Sequence, residues 1–262
     1  MIDTDLLHQT FTRTCEAAAK ETLPRFRTGT RVSNKLDAGF DPVTEADREA
    51  EVAIRAVIAE AFPAHSIFGE EHGASGPDNS PWRWIIDPVD GTRAFISGLP
   101  VWGTLIGLYH EGKPVAGALD QPFTGERFLA LPDGYCVSTN RFGIRDLSTS
   151  DVTSLADATI MTVDPHLLDN DDDRGFFACA ERAKLVRYGC DCYAYAMVAG
   201  GHVDAVVESH MQVYDIAALI PLIVNAGGVV TDWQGGDASE GGQVLACANA
   251  TLHAEMMAVL NS

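Results

Sequence analysis

The apolar run Trp84-Ile85-Ile86 ends in Asp87-Pro88-Val89-Asp90-Gly91-Thr92, two acids three residues apart beside a proline, a glycine and a threonine. Pro88 fixes one backbone angle and removes a donor, while Gly91 lets the backbone approach a ligand closely. Two carboxylates are thereby held on a stiff corner at a strand end, where rigid scaffolds present functional groups. Hard divalent cations such as Mg²⁺ take carboxylate, carbonyl and water oxygens, and a pair of them needs a shared acid. Asp87 is placed to be that bridge. Read alone, the same residues equally suit a helix cap at Asp87 and a turn at Asp90.

Two further segments repeat the theme. Ile67-Phe68-Gly69-Glu70-Glu71 is a short apolar run ending in glycine and paired acids, a second source of ligands from a separate strand end; by itself it is an ordinary solvated loop. In Val213-Tyr214-Asp215-Ile216-Ala217-Ala218 an acid opens an apolar helix, which the helix dipole favours whether or not a metal is near.

These acids need elements to position them. Leu6, Leu7, Phe11, Cys15, Ala18, Ala19 and Leu23 recur at helical spacing and predict a long N-terminal helix closing near Pro24. A second helix starts at Thr44, with Asp47 at its third position, and stops at Pro63. Trp82 to Asp87 reads as a strand with a short helix following at Thr92 to Ile96, and Val101 to Tyr109 and Val115 to Leu119 form a hairpin about Glu111-Gly112. The second half alternates: strand Lys184 to Tyr188, helix Asp191 to Ala199, strand Val203 to Glu208, helix Tyr214 to Asn225, short strands about Val229 and Val244, and a terminal helix. Helices layered on mixed sheets follow from this order.

The chain has 262 residues, 46% of them hydrophobic, enough for a substantial core. Acids outnumber bases 37 to 18, and a net charge of −19 repels nucleic acid and anionic membrane surfaces. A negative protein that handles phosphate must place positive charge locally, as a bound metal does. No apolar stretch approaches the roughly 20 residues of a membrane span, and the acidic start Met1-Ile2-Asp3-Thr4-Asp5 is unlike a secretory signal, so the expected compartment is the cytoplasm. The six cysteines (15, 136, 179, 190, 192 and 247) do not make a zinc pattern and read as reduced thiols. The eight histidines fall outside the acidic segments, and only His210 sits near a candidate substrate residue.

With Lys35 and Asp41-Pro42-Val43-Thr44-Glu45-Ala46-Asp47 upstream, and Asp215 followed by Gly227-Gly228 downstream, the ordered segments resemble the inositol monophosphatase family, the lithium-sensitive magnesium phosphatases. The resemblance implies one αβαβα-sandwich domain over residues 1–262, with a metal-binding α+β half to about residue 145 and an α/β half from about 146, found as a homodimer. It implies two or three Mg²⁺ ions: Glu70, Asp87 and the carbonyl of Val89 hold one, and Asp87, Asp90 and Asp215 a second. Thr92 and Asp47, with Glu70, orient and deprotonate the attacking water. The backbone N–H groups of Gly91 and Thr92 receive phosphate oxygens.

Substrate is suggested by Arg187-Tyr188-Gly189-Cys190-Asp191-Cys192-Tyr193-Ala194-Tyr195, followed by Gly201-His202-Val203-Asp204 and Glu208. Asp191 stands where inositol phosphatases carry a small neutral residue, and Glu208 where the family contacts substrate hydroxyls. An added carboxylate favours a cationic ester over a neutral polyol. Gly-x-Asp-Cys-Tyr and Phe95 to Thr104 also resemble the histidinol-phosphatase branch, with Cys190 in place of an expected second glycine, so histidinol phosphate is the expected substrate. Inositol monophosphate or a range of small esters is the alternative; Asp191 as a plain helix cap is the bland one. The haloacid dehalogenase class spaces its acids two apart rather than three. A metal or phosphometabolite sensor without turnover would lack a catalytic side chain, and Asp47, Glu70, Asp87, Asp90, Thr92 and Asp215 are all present.

Overall fold

A computed structural model describes residues 2–29, 32–34, 42–167 and 170–262. Lys35 and Asp41 lie outside the described residues. Chain order runs α1 (Thr4–Thr22), β1 (Val32–Asn34), β2 (Pro42–Thr44), α2 (Glu45–Ala61), β3 (Ser66–Gly69), β4 (Gly73–Ser75), β5 (Trp82–Asp90), α3 (Thr92–Ile96), β6 (Gly103–His110) and β7 (Lys113–Gln121). It continues β8 (Glu126–Ala130), β9 (Cys136–Asn140), β10 (Gly143–Asp146), β11 (Thr159–Thr162), α4 (Asn170–Ala180), β12 (Leu185–Tyr188), α5 (Asp191–Ala199) and β13 (Ala205–Met211). The last elements are α6 (Val213–Ile216), α7 (Leu219–Asn225), β14 (Val229–Thr231), β15 (Gly242–Cys247) and α8 (Ala250–Leu260).

The strands form a two-stranded ribbon (β1-β2), an eight-stranded sheet in the order β10-β9-β8-β7-β6-β5-β3-β4 and a five-stranded sheet in the order β12-β11-β13-β15-β14. Side-chain alternation sorts these sheets into layers. Ile106 and Leu108 of β6 point into a core with Leu7, Phe11 and Cys15 of α1 and Ile54 and Ile58 of α2. On the opposite face, Leu105 meets Tyr195 of α5 and Leu219 and Leu222 of α7, and the same core takes in Val206 of β13 and Ala246 of β15. Their neighbours Val207 and Leu245 face outward onto Phe176 of α4 and Leu252 and Met256 of α8. The sequence of layers is helix, sheet, helix, sheet, helix: the expected αβαβα sandwich. No helix among the described residues is long and apolar enough to cross a membrane.

Local chemistry explains most boundaries. Thr44 caps α2 in a reciprocal box with Asp47, as its sequence predicts. Glu111 and Gly112 both take positive φ, at 51° and 79°, the geometry of a two-residue hairpin between β6 and β7. Three expectations need correction. The strand at Trp82 does not stop at Asp87: pairing with β6 resumes at Asp90 opposite Gly103, after an irregularity at Pro88, which has no N–H to give the ladder. The helix expected from Tyr214 to Asn225 is two short helices, because Pro221 in the first turn of α7 cannot supply the bond that a continuous helix would make to Ala217. The strand expected from Val203 begins at Ala205, since Asp204 turns its carboxylate back onto the N–H of Thr159 at 2.7 Å.

Candidate active site

The parallel pairing of β3 with β5 sets Gly69 opposite Ile86, so both strands deliver their acids at the same end. The N–H of Glu70 donates to the carbonyl of Ile86 at 3.1 Å, and its carboxyl group lies within hydrogen-bonding reach of Asp87. Asp87 is 3% exposed, and its Oδ1 accepts from the N–H of Val89 at 3.0 Å, which ties the carboxylate into the turn. It does not cap α3; that position belongs to Gly91, at φ 79° and ψ 41°.

Oxygens of Asp87, Asp90 and Asp215 lie within 4.8 Å of one another. Asp90 reaches this place because its Oδ2 accepts from the N–H of Cys192 at 2.7 Å, docking β5 onto α5. Asp215 arrives from α6, where one of its oxygens accepts from the N–H of Gln212 at 2.7 Å. From the third helical position it completes the capping box with Gln212 and joins the acids as well. Burial, then Glu70, Asp90 and Asp215, raise the pKa of Asp87 well above the usual carboxylate range; burial, then Asp191 and Asp215, do the same to Asp90. Acids packed so closely away from water repel one another unless a cation joins them, and their all-oxygen donor set is the one Mg²⁺ takes.

Beside the acids, Thr92 Oγ1 is 3.3 Å from Asp47 Oδ1 and 3.1 Å from the carbonyl of Val89. Asp47 is 1% exposed, and its Oδ2 accepts from the N–H of Thr44 at 2.8 Å. Burial lifts its pKa to about 6, against the lowering effect of the hydrogen bonds from Thr44. A carboxylate so raised is a better proton acceptor than a free one.

A cavity of about 260 Å³ opens next to these groups, lined in part by Asp90, Gly91, Thr92, Asp191, Glu208 and Asp215. Asp191 is not a helix cap. Cys190 holds that position without a side-chain hydrogen bond, and Asp191 lies in the first turn with its carboxylate against Gly91, so close that a Cβ there would come within 2.9 Å of it. Cys190 and Asp191 both have positive φ, 79° and 43°, a conformation that explains why a glycine is expected at 190. Burial raises the pKa of Asp191 to about 6, with Arg93 acting in the opposite sense. Glu208, 5% exposed, accepts from Tyr195 Oη at 3.3 Å and from the N–H of Val163 at 3.1 Å. Tyr195, the last residue of the stretch singled out in the sequence, also lines the cavity, as do Arg93, Val163, Met211 and Leu219, to which the sequence did not point. Tyr195, four residues after Asp191 on one helix face, carried a usable signal; Val163 did not. His210 is exposed and not part of the lining. The six cysteines are free, Cys190 being the least buried.

The model of the inositol monophosphatase family matches residues 4–262. The chain belongs to the inositol monophosphatase family. Members of this family are metal-dependent phosphatases of small phosphate esters. The chain is 42% identical over 197 residues to the Arabidopsis thaliana bifunctional phosphatase IMPL2, an alignment covering 75% of this chain and 56% of the plant protein. It is 35% identical to the histidinol-phosphatase of Chlorobaculum parvum, over 94% of this chain and 93% of that one. Among solved structures, an inositol monophosphatase from Zymomonas mobilis superposes with a TM-score of 0.86 at 33% identity, covering 99% of this chain and 98% of its own. The inositol monophosphatase fold thus accounts for the eight- and five-stranded sheets and the helices layered on them.

Proposed function

We propose that the protein is a Mg²⁺-dependent phosphatase of histidinol phosphate that uses direct attack by water and forms no phosphoenzyme. The observation that carries this reading is the convergence of Glu70, Asp90 and Asp215 on the buried Asp87, next to the Thr92–Asp47 pair. Glu70, Asp87 and the carbonyl of Val89 would hold one Mg²⁺, and Asp87, Asp90 and Asp215 a second. Bound ions of this kind lower the pKa of water and offset charge on the phosphoryl and leaving oxygens.

The chain's own residues supply orientation and proton transfer. Thr92 donates its hydroxyl hydrogen to Asp47 or Val89, which leaves its oxygen free to accept from the attacking water and to set that water's direction. Asp47, held by Thr44 and with a raised pKa, takes the water's proton through the Thr92 hydroxyl, and Glu70 orients the same water; as the water oxygen bonds phosphorus, the ester P–O bond breaks and the leaving alkoxide takes a proton from solvent. The N–H groups of Gly91 and Thr92, two residues of the cavity lining, would receive phosphate oxygens.

The substrate reading rests on Asp191 and Glu208, two further acids on the cavity wall. The charge of Asp191 favours an ester bearing an ammonium group over a neutral polyol; burial, then Asp90 and Asp191, raise the pKa of Glu208 well above the usual carboxylate range, which suits it to hydrogen-bonding a substrate hydroxyl. Similarity to a histidinol-phosphatase supports the same choice; similarity to an inositol monophosphatase favours the alternative, inositol monophosphate. Specificity constants for histidinol phosphate, inositol monophosphate and a nucleotide ester, measured side by side, test it. Histidinol phosphate is expected to lead by tenfold or more, about 1.4 kcal/mol; a lead for inositol monophosphate would overturn the substrate choice and leave the phosphatase mechanism standing.

A further inference from the structure

Beneath the acids lies a carboxylate for which the proposed chemistry has no use. Glu51 of α2 is fully buried, one helical turn beyond Asp47. Its Oε2 accepts from the N–H of Glu71 at 2.7 Å; its Oε1 accepts from the N–H of His72 at 3.2 Å and from Nε of Arg55 at 2.7 Å. Arg55 reaches onward to Ser75 Oγ at 2.7 Å and to the carbonyl of Gly73. The turn that leaves β3 and the strand that follows are thus gripped from one helix. Gly69 is shaped to this contact, since a Cβ there would stand 2.1 Å from Glu51 Oε1. A buried carboxylate whose partners are backbone donors fixes a loop far more firmly than a neutral group would.

We propose that Glu51 is a positioning residue for metal binding: it clamps residues 69–72 so that Glu70 is delivered to Asp87 at a fixed distance from Asp47. This rests on the reading of Glu70 as a metal ligand. Because α2 carries both Asp47 and Glu51, the water-activating acid and the clamp share one rigid element, and any slack in the clamp changes their spacing from Glu70.

Glu51→Gln tests this. It keeps size and packing, but its amide nitrogen cannot accept a hydrogen bond: one flip sets it against the N–H of Glu71, the other against the N–H of His72 and Arg55. In the full-length protein, with circular dichroism confirming the fold, the Mg²⁺ concentration for half-maximal phosphate release is expected to rise tenfold or more while KM for the ester stays within twofold. In metal-free protein, hydrogen exchange at the amides of Glu71 and His72 is expected to quicken at least tenfold. If Glu51→Gln does not fold, Arg55→Gln is expected to move both quantities in the same direction by two- to fivefold. A variant that loses thermal stability but keeps the wild-type Mg²⁺ midpoint and amide protection would overturn the proposal. Wild-type protein without Mg²⁺-dependent phosphate release would instead count against the proposed function, and the exchange rates would then decide the clamp alone.

Discussion

At the scale of single residues, the site works by crowding. Glu70, Asp90 and Asp215 all act on the buried Asp87, so its charge bears on every other acid of the cluster. Asp87→Asn removes that charge with almost no change in size. Its expected effect is a loss of activity on the order of 10³-fold, comparable to removing a main electrostatic contact from a transition state, with the protein still folded by circular dichroism. Asp191→Ala is expected to act differently: Mg²⁺ binding persists, while the preference for histidinol phosphate over inositol monophosphate falls about tenfold, the worth of one well-placed charge. An unchanged preference would remove Asp191 from the substrate argument. Asp87 and Asp90 were legible in the sequence because they are neighbours in one stiff motif. Their closeness to Asp215, 128 residues beyond Asp87 and 125 beyond Asp90, is a property of packing that no local pattern carries.

At the scale of elements, glycines let helices and sheets approach closely enough to bring those acids together. A Cβ at Gly117 of β7 would stand 2.1 Å from the carbonyl oxygen of Ala218, and one at Gly107 of β6 would stand 2.8 Å from Ala217. The joint between α6 and α7 therefore lies directly on the eight-stranded sheet, and α6 carries Asp215. Gly117→Ala must push that joint away. The expected cost is about 2 kcal/mol or more, read as a fall in Tm of several degrees, with weaker Mg²⁺ binding because Asp215 moves too. The long helices and the hairpin were readable from spacing and turn residues. The break at Pro221 was readable in principle, since proline in a helix is a local signal, but the apolar run around it suggested one continuous element. The parallel pairing of β3 with β5, which sets Glu70 beside Asp87, is a long-range choice and left no mark in either segment.

At the scale of the whole molecule, five layers cover both faces of the central strands of the eight- and five-stranded sheets and leave the chemistry at strand and helix ends. Asp87 and Asp90 belong to β5 of the eight-stranded sheet and Asp215 to α6 of the inner helical layer, so the acids join a sheet to the helices packed on it. A cation bound among them should fasten those layers together. Adding Mg²⁺ at about 100 times its Kd is expected to stabilise the fold by about 2.7 kcal/mol, seen as a rise in Tm that Asp87→Asn abolishes. The net charge of −19 adds to this, since it draws cations toward a molecule that already repels anions. Composition announced that need for a counter-charge, and the acid cluster supplies the place for it.

The most direct measurement is phosphate release from histidinol phosphate by chelator-treated protein as Mg²⁺ is added back, alongside Asp87→Asn under identical conditions. Wild-type protein should be silent in chelator and regain turnover with Mg²⁺, and the variant should stay silent throughout. Release of phosphate in chelator, or full turnover by the variant, would contradict the carboxylate cluster as the seat of the chemistry.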